Sequence, residues 1–291
     1  MTQPSDVDCS AVLTRLARGA EAWAARPLAD RAAVARQAAR SVTAEAAVWT
    51  ETAVAIKAAG PEGPRSLPRE LLTTLTAEEL ATGPLPTQRL LLLTAAAAAD
   101  TVARGLPTAT ASPRIVHRQA APEAVPFAAP ASLVAVDVMP VKPLHDATIF
   151  RGHTATVRCA NSGSLDTFRR TWQESCQPRA GAAGVAVVLG AGNVTGLAAA
   201  DAICQIFEQG RAVFLKLHPV QASLAPVLER ALEPLITAGL LAVVAGGAEL
   251  AAAAIAAAEV THVHLTGGEP TFRRLVDGDG SGPLAKPVSC E

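Results

Sequence analysis

Between Val185 and Val276, short β-branched runs alternate with helical stretches, and glycines stand at the joints. The runs are Val185–Leu189, Ala212–Leu217, Leu240–Ala245 and Thr261–Leu265. The stretches between them predict helices over 195–209, 221–238 and 248–258, with a shorter one up to Val276. Gly210 and Gly239 fall where helix C-caps belong. Near-continuous apolar strands joined by helices are buried on both faces, which requires a parallel sheet covered by helices. Right-handed βαβ crossovers then gather the carboxyl ends of the strands on one edge, where such sheets bind ligands. Here that edge comprises Gly190–Asn193, Lys216–Pro219, Gly246–Gly247 and Thr266–Gly268.

The preceding part reads differently. Ala11, Leu13, Leu16, Ala17 and Ala20, then Ala32, Val34, Ala38 and Val42, repeat at helical spacing. Pro27 breaks that region, Thr43 is a candidate N-cap for the segment through Ala58, and Gly-Pro-Glu-Gly-Pro at 60–64 stops it. Helices are predicted over 68–79 and 87–103. Pro107, Pro113, Pro122, Pro126 and Pro130 argue against helix over 105–130, a segment that crosses from one region to the next. Leu133–Met139 and Ala147–Cys159 predict a β-hairpin turning through 140–146, and 165–176 predicts a short helix capped by Ser164.

Charge and cysteine usage exclude several classes. A formal net charge of -1 leaves no basic footprint for nucleic acid or for an anionic membrane surface. The longest apolar run, Leu90–Ala99, is bounded by Arg89 and Asp100 and is too short for a membrane span. The first residues carry no basic, apolar leader, and the 5 cysteines show no Cys-x-x-Cys, so a reduced, cytoplasmic protein without a disulfide framework or metal site is expected. His262 and His264 share one face of a strand without a third ligand nearby, and read as structural or surface residues.

The glycine loop has the form Gly190-x-Gly192-x-x-x-Gly196, and the second strand ends in Lys216-Leu-His-Pro219. A dinucleotide fingerprint wants Gly-x-Gly-x-x-Gly and a carboxylate at the second strand's end for the ribose diol. Gly190 and Gly192 supply room for a ligand, but no acid stands after the second strand; Lys216 would meet a ribose or a 2′-phosphate. Asn193 suits either a fixed hydrogen-bond donor or a helix N-cap. These residues alone leave open a reductase with 190–196 as its pyrophosphate loop, and a non-enzymatic nucleotide-binding or assembly module.

The order of the pieces resembles the aldehyde dehydrogenase superfamily: Asn193 after the first strand, Lys216 ending the second, Ala-Gly-Leu-x-x-Val-Val-x-Gly at 238–246, Thr266-Gly267, and Lys286-Pro-Val-x-x-Glu291. Leu-Gly-Ala-Gly-Asn-Val and Leu-Ala-Lys-Pro-Val-Ser-Cys-Glu are most similar to an outlying branch near the acyl-CoA reductases. The likeness covers Val185–Glu291, with further support at Trp23–Arg31. It implies an α/β, aldehyde dehydrogenase-like fold: a Rossmann-type parallel sheet with flanking helices, preceded by a helical N-terminal region and a β-hairpin. The corresponding division is 1–130 for the helical region and Pro-rich crossing, 131–160 for the hairpin with its candidate oligomerisation strands, and 161–291 for an NAD(P)-binding domain incomplete at its C-terminus.

The resemblance also implies roles. Asn193 would hold the oxyanion of a thiohemiacetal, and Glu291 would act as general base. Lys216 would contact the adenosine ribose, and Gly246 would line the adenine side. Thr266 and Gly267 would start the helix near the pyrophosphate, although that motif's second glycine falls at Phe272. Pro219 replaces an acid that often follows the lysine, which leaves NAD and NADP both open. The family's nucleophilic cysteine lies tens of residues beyond the glutamate, and neither Cys290 nor any other cysteine here matches it. The expectation is therefore the cofactor-binding portion of an NAD(P)-dependent oxidoreductase that acts on an aldehyde or reduces an acyl thioester through a thioacyl-enzyme. That portion is expected to be inactive alone, and a homo-oligomer when full length.

Overall fold

The computed structural model describes residues 8–60, 63–64, 67–107, 113–117, 132–140, 146, 148, 151–159, 164–175, 184–277 and 284–291. In chain order, α1 (Cys9–Ala25) and α2 (Leu28–Ala58) precede a minimal hairpin, β1 (Ala59–Gly60) and β2 (Gly63–Pro64), then α3 (Arg69–Thr82) and α4 (Pro84–Arg104). Strands β3 (Arg114–His117), β4 (Ser132–Met139) and β5 (Ala155–Cys159) lead to α5 (Leu165–Ser175). There follow β6 (Val185–Leu189), α6 (Leu197–Phe207), β7 (Ala212–Leu217), a 3-10 turn (Pro219–Leu224), α7 (Ala225–Ala231) and α8 (Glu233–Thr237). Last come β8 (Leu241–Ala245), α9 (Ala248–Ala256), β9 (Val260–Leu265), α10 (Glu269–Asp277) and β10 (Val288–Cys290). The chain forms two compact units, one of residues 1–26, 33–94 and 179–291, the other of 27–32 and 95–178.

The first unit holds a 5-stranded sheet in the order β10-β9-β6-β7-β8. Every pairing in it is parallel. The chain starts this sheet at β6, builds outward through β7 and β8, then crosses back to lay β9 and β10 on the other side. The carboxyl ends of β6 and β9 therefore flank the point where strand order reverses. One face is covered by α1 and α9: Leu13, Leu16 and Ala20 pack with Val185, Val187, Phe214, Val244 and Val263. The other face is covered by α6, whose Ala198, Ala199, Ala202, Ile203 and Ile206 are buried. Trp23 ties the two coverings together, donating from Nε1 to the Ile206 carbonyl at 3.0 Å and meeting Phe207 edge-on at 5.4 Å. That contact gives the Trp23–Arg31 region a structural role.

The second unit holds a 3-stranded antiparallel sheet in the order β3-β4-β5, with Val134 and Val136 packed on Phe168 of α5. The predicted two-stranded hairpin thus gains β3, and its second strand begins at Ala155 rather than 147. Ser164 caps α5 as expected, accepting from Thr167 N at 3.1 Å.

Two local expectations change. Thr43 is no N-cap: α2 runs unbroken past it, and its hydroxyl donates to the Ala39 carbonyl one turn back at 2.9 Å, the local bond that lets threonine sit within a helix. The helix expected over 221–238 is three short pieces, because Pro226 and Pro234 remove backbone donors and constrain the residue before each. Gly210 and Gly239 do adopt left-handed backbone, at φ 70° and 74°. The 105–130 segment, the 140–146 turn and the loop after Asp277 lie largely outside the described residues.

Candidate functional site

A cleft of about 780 Å³ opens at the reversal point of the parallel sheet. Its walls come from the loop after β6 (Gly190–Asn193), from Lys216 and His218 at the end of β7, from one face of α9 (Ala248, Ala251, Ala252, Ile255), from Thr266–Gly268 and Thr271, Arg274 and Leu275 of α10, and from Glu291. Most of that lining is small or apolar. Two cations, Lys216 and Arg274, and one carboxylate, Glu291, are its charged groups among the described residues.

Backbone bonds fix the rim. Gly190 N donates to the Lys216 carbonyl at 3.0 Å, and Thr266 N to the Leu189 carbonyl at 3.3 Å. Glu291 N donates to the Leu265 carbonyl at 3.1 Å, and Gly267 N to the Glu291 carbonyl at 3.2 Å. The N–H of Gly190 is thus committed within the protein, as is the N-terminal turn of α6, which packs on the last turn of α3 through Gly196. These commitments count against 190–196 as a pyrophosphate grip. The helix end bordering the cleft is that of α10, where Pro270 carries no N–H and the amides of Thr271 and Phe272 donate to the Gly268 carbonyl, so that what it offers an anion is chiefly the positive end of its dipole.

Of the residues singled out from sequence, Gly190, Gly192, Asn193, Lys216, Thr266, Gly267 and Glu291 all border this cleft. Asn193 is exposed, and its Oδ1 accepts from Val194 N at 3.0 Å. Helix α6 begins later, with Gly196 at its N-cap position, so Asn193 is not the helix cap. Its side-chain N–H₂ has no partner among the described residues and is available as a donor. Burial pulls the Lys216 ammonium below its usual range; a desolvated cation gains from an anionic ligand. Gly246 is not part of the wall. A Cβ there would lie 2.5 Å from Leu250 Cδ2, so its missing side chain accommodates α9, whose alanines line the cleft instead.

Lys286, singled out only as motif context, donates to the Ile255 carbonyl at 2.6 Å and also to that of Ala257. The ammonium closes the C-terminal end of α9, where carbonyls are unpaired and the dipole is negative. It thereby fixes the start of β10 and the position of Glu291.

Glu291 also borders a second cavity, of about 340 Å³, on the opposite face of the sheet, beside Asp201, Cys204, Gln205, Arg211, His262, His264 and Ser289. Thr266 Oγ1 donates to Asp201 Oδ2 at 2.7 Å, and His264 Nε2 lies 3.6 Å from the same oxygen. Ser289 Oγ lies 2.8 Å from both His262 Nε2 and His264 Nδ1. Burial, then Arg211 and His264, push His262 below its usual pKa. The two histidines are therefore members of a buried polar chain.

Cys204 faces this cavity, but burial pushes its thiol up to about 12, with Glu208, Asp201 and Glu291 adding to the rise. Nucleophilic cysteines are thiolates near neutral pH. Iodoacetamide at pH 8.5 is expected to alkylate Cys204 roughly a thousandfold more slowly than a free thiol, read by mass spectrometry of peptides. Labelling at the free-thiol rate would show the thiol to be activated.

No family model matches the chain, and no curated protein matches it by sequence. Solved structures do match. An NAD-dependent benzaldehyde dehydrogenase from Corynebacterium glutamicum aligns with 100% of this chain and 47% of its own, at 16% identity and a TM-score of 0.55. The fold is that of the aldehyde dehydrogenases. A 3,6-anhydro-L-galactose dehydrogenase in complex with NAP aligns at 18% identity and a TM-score of 0.52, over 98% of this chain and 43% of its own. A proline utilization A (PutA) mutant from Bradyrhizobium japonicum aligns at 16% identity and 0.51, over 100% of this chain and 22% of its own. The chain thus spans less than half the length of these structures.

Within this aldehyde dehydrogenase fold, sequence reasoning passed over His218, Thr271 and Arg274. His218 is two residues beyond Lys216, and a Cβ on Gly192 would lie 2.7 Å from its Nδ1; the glycine is there to admit the imidazole. Thr271, Arg274 and Leu275 share one face of α10, so helical spacing counted from Thr266-Gly267 would have found them. Among the described residues no group of three or more His, Cys, Asp or Glu side chains is placed to hold a metal ion, and no helix is long and apolar enough to cross a membrane.

Proposed function

We propose that this chain is the dinucleotide-binding part of an NAD(P)-dependent oxidoreductase that oxidises an aldehyde, or reduces an acyl thioester, through a thioacyl-enzyme. The observation that carries this reading is the convergence on one cleft of Asn193, Lys216, Thr266–Gly267 and Glu291, drawn from four strand ends. The cleft fits the cofactor: it has apolar walls, a cation at the second strand's end, and a helix N-terminus for the pyrophosphate. A nicotinamide dinucleotide held there supplies the two-electron exchange with the substrate carbon.

The chain's own residues do the rest. Lys216 donates to the adenosine ribose or to a 2′-phosphate on it, and Gly190 and Gly192 let Ala198 and His218 pack close against the loop. The amide N–H₂ of Asn193 donates to the oxygen that becomes an oxyanion; such a fixed donor contributes on the order of 3 kcal/mol to a transition state. Glu291 takes a proton from the attacking water or thiol. Cys204 is held as a thiol, and Cys290 alternates away from the Glu291 side chain on its strand. In this reading, as the resemblance implies, none of the chain's cysteines supplies the thioacyl sulfur. The full-length protein is read as a cytoplasmic homo-oligomer.

Titrating NADH and NADPH into the chain tests this. At least one is expected to bind, and Lys216→Ala to weaken it about tenfold, as for a lost charge-assisted bond. A larger loss for NADPH would place the lysine on a 2′-phosphate. No binding of either by the wild-type chain would overturn the proposal.

A further inference from the structure

The carboxylate of Glu79 is fully buried, at 0% exposure, in the last turn of α3. Its two oxygens are divided. Lys57 Nζ lies 2.6 Å from Oε1, in an ion pair rather than an aligned hydrogen bond, and reaches Glu78 at 2.7 Å. Burial lowers the Lys57 ammonium, but Glu78 and Glu79 more than reverse this, so the cation is held above its usual range. Oε2 accepts from Thr195 Oγ1 at 2.7 Å. Thr195 is itself 2% exposed and stands two residues after Asn193.

Gly196, at the N-cap position of α6, has no side chain to offer the helix's first amides, and the residue before it, Thr195, carries a hydroxyl. Here α6 has no side-chain cap at all, and that hydroxyl is committed to a carboxylate 116 residues away in sequence. Beside it, Gly196 sits so close to α3 that a Cβ would lie 2.2 Å from the Thr82 carbonyl oxygen. Asn193, by contrast, is exposed, and among the described residues its side chain is bonded only to its neighbour Val194. What ties this loop to α3 is the stretch just after Asn193, at Thr195 and Gly196.

We propose that Glu79, held by Lys57, is a positioning residue that anchors the Asn193 loop through Thr195. This rests on the reading of Asn193 and its loop as part of the dinucleotide cleft. A buried carboxylate is costly unless both oxygens are satisfied, and here one oxygen takes a cation while the other takes the loop. Lys57–Glu79–Thr195 is therefore a continuous polar tether from α2 through α3 to the cleft rim.

The test compares Glu79→Gln, Thr195→Val and Thr195→Ser with the wild-type chain, by amide hydrogen exchange without ligand and by NADPH and NADH titration. Thr195→Val removes the hydroxyl at nearly constant shape, and Thr195→Ser restores it. Exchange across 191–196 is expected to rise about tenfold in Thr195→Val and Glu79→Gln, with β6 and β7 unchanged, and dinucleotide affinity to fall about tenfold. Thr195→Ser should recover both. Unchanged loop exchange in Thr195→Val, or a rise shared equally by β6 and β7, would overturn the tether. So would faster loop exchange without loss of affinity in a chain that binds. A wild-type chain that binds neither dinucleotide overturns the functional reading instead, and the exchange data still decide whether the tether exists.

Discussion

Phe214→Ala is expected to lower the stability of the parallel-sheet unit by about 3–5 kcal/mol. Phe214 is at 0% exposure in the middle of β7, opposite Val187 on one side and Ala242 on the other. It is the only aromatic side chain among the buried residues of its cluster, whose other members include Leu13, Leu16, Ala20, Val185 and Val263. Alanines and β-branched residues on a sheet have little reach into a vacated ring, so most of the cavity should persist. Urea denaturation should show a lower midpoint with an unchanged slope. A loss below about 1 kcal/mol would mean that α1 and α9 collapse onto the sheet.

Gly196→Val is the second large effect. The backbone at Gly196 is ordinary, at φ −85°, so conformation does not demand glycine; space does. A Cβ would stand 2.2 Å from the Thr82 carbonyl oxygen and 3.1 Å from the Gly83 Cα and carbonyl oxygen. All three are backbone atoms that cannot rotate away, so either α3 or the 190–196 loop must move. The expected cost is about 3 kcal/mol, the upper end for overpacking, together with weakened dinucleotide binding because the loop carries Asn193. Gly247→Ala is the control: a Cβ there meets nothing within 4 Å, and near-wild-type melting is expected. Equal melting temperatures for Gly196→Val and wild type would refute the close packing.

The two variants mark where the sequence was legible. Phe214 lies in an apolar run whose strand character and burial follow from local pattern, and Gly210 and Gly239 announced their left-handed turns. The cleft followed as well, because carboxyl ends of parallel strands need no side-chain detail to be located. Gly196 and Glu79 were opaque. A glycine required by a carbonyl 114 residues earlier (Thr82 to Gly196) leaves no local trace, and neither does a buried glutamate answered by Thr195. Gly246 is similar: its strand-end position was legible, but the close approach of Leu250 from the following helix was not. The prolines at 226 and 234 could have been weighed against the apolar periodicity, and local backbone chemistry prevailed there.

The hydroxyl of Ser289 has one proton to give, yet it sits between two imidazole nitrogens at 2.8 Å each. With one proton and two lone pairs, the serine can accept from both rings or give its proton to one of them, but it cannot give to both. When both rings are neutral, the two histidines do not choose their tautomers freely: if one presents an acceptor nitrogen to Ser289, the other must donate to it across the strand pair β9–β10. The Asp201 carboxylate near His264 Nε2 favours a proton on that nitrogen, which makes Nδ1 the acceptor and His262 the donor. A chain of donors with a single direction thus runs from His262 through Ser289 to His264, whose Nε2 faces Thr266 Oγ1 at 3.5 Å and Asp201 Oδ2 at 3.6 Å.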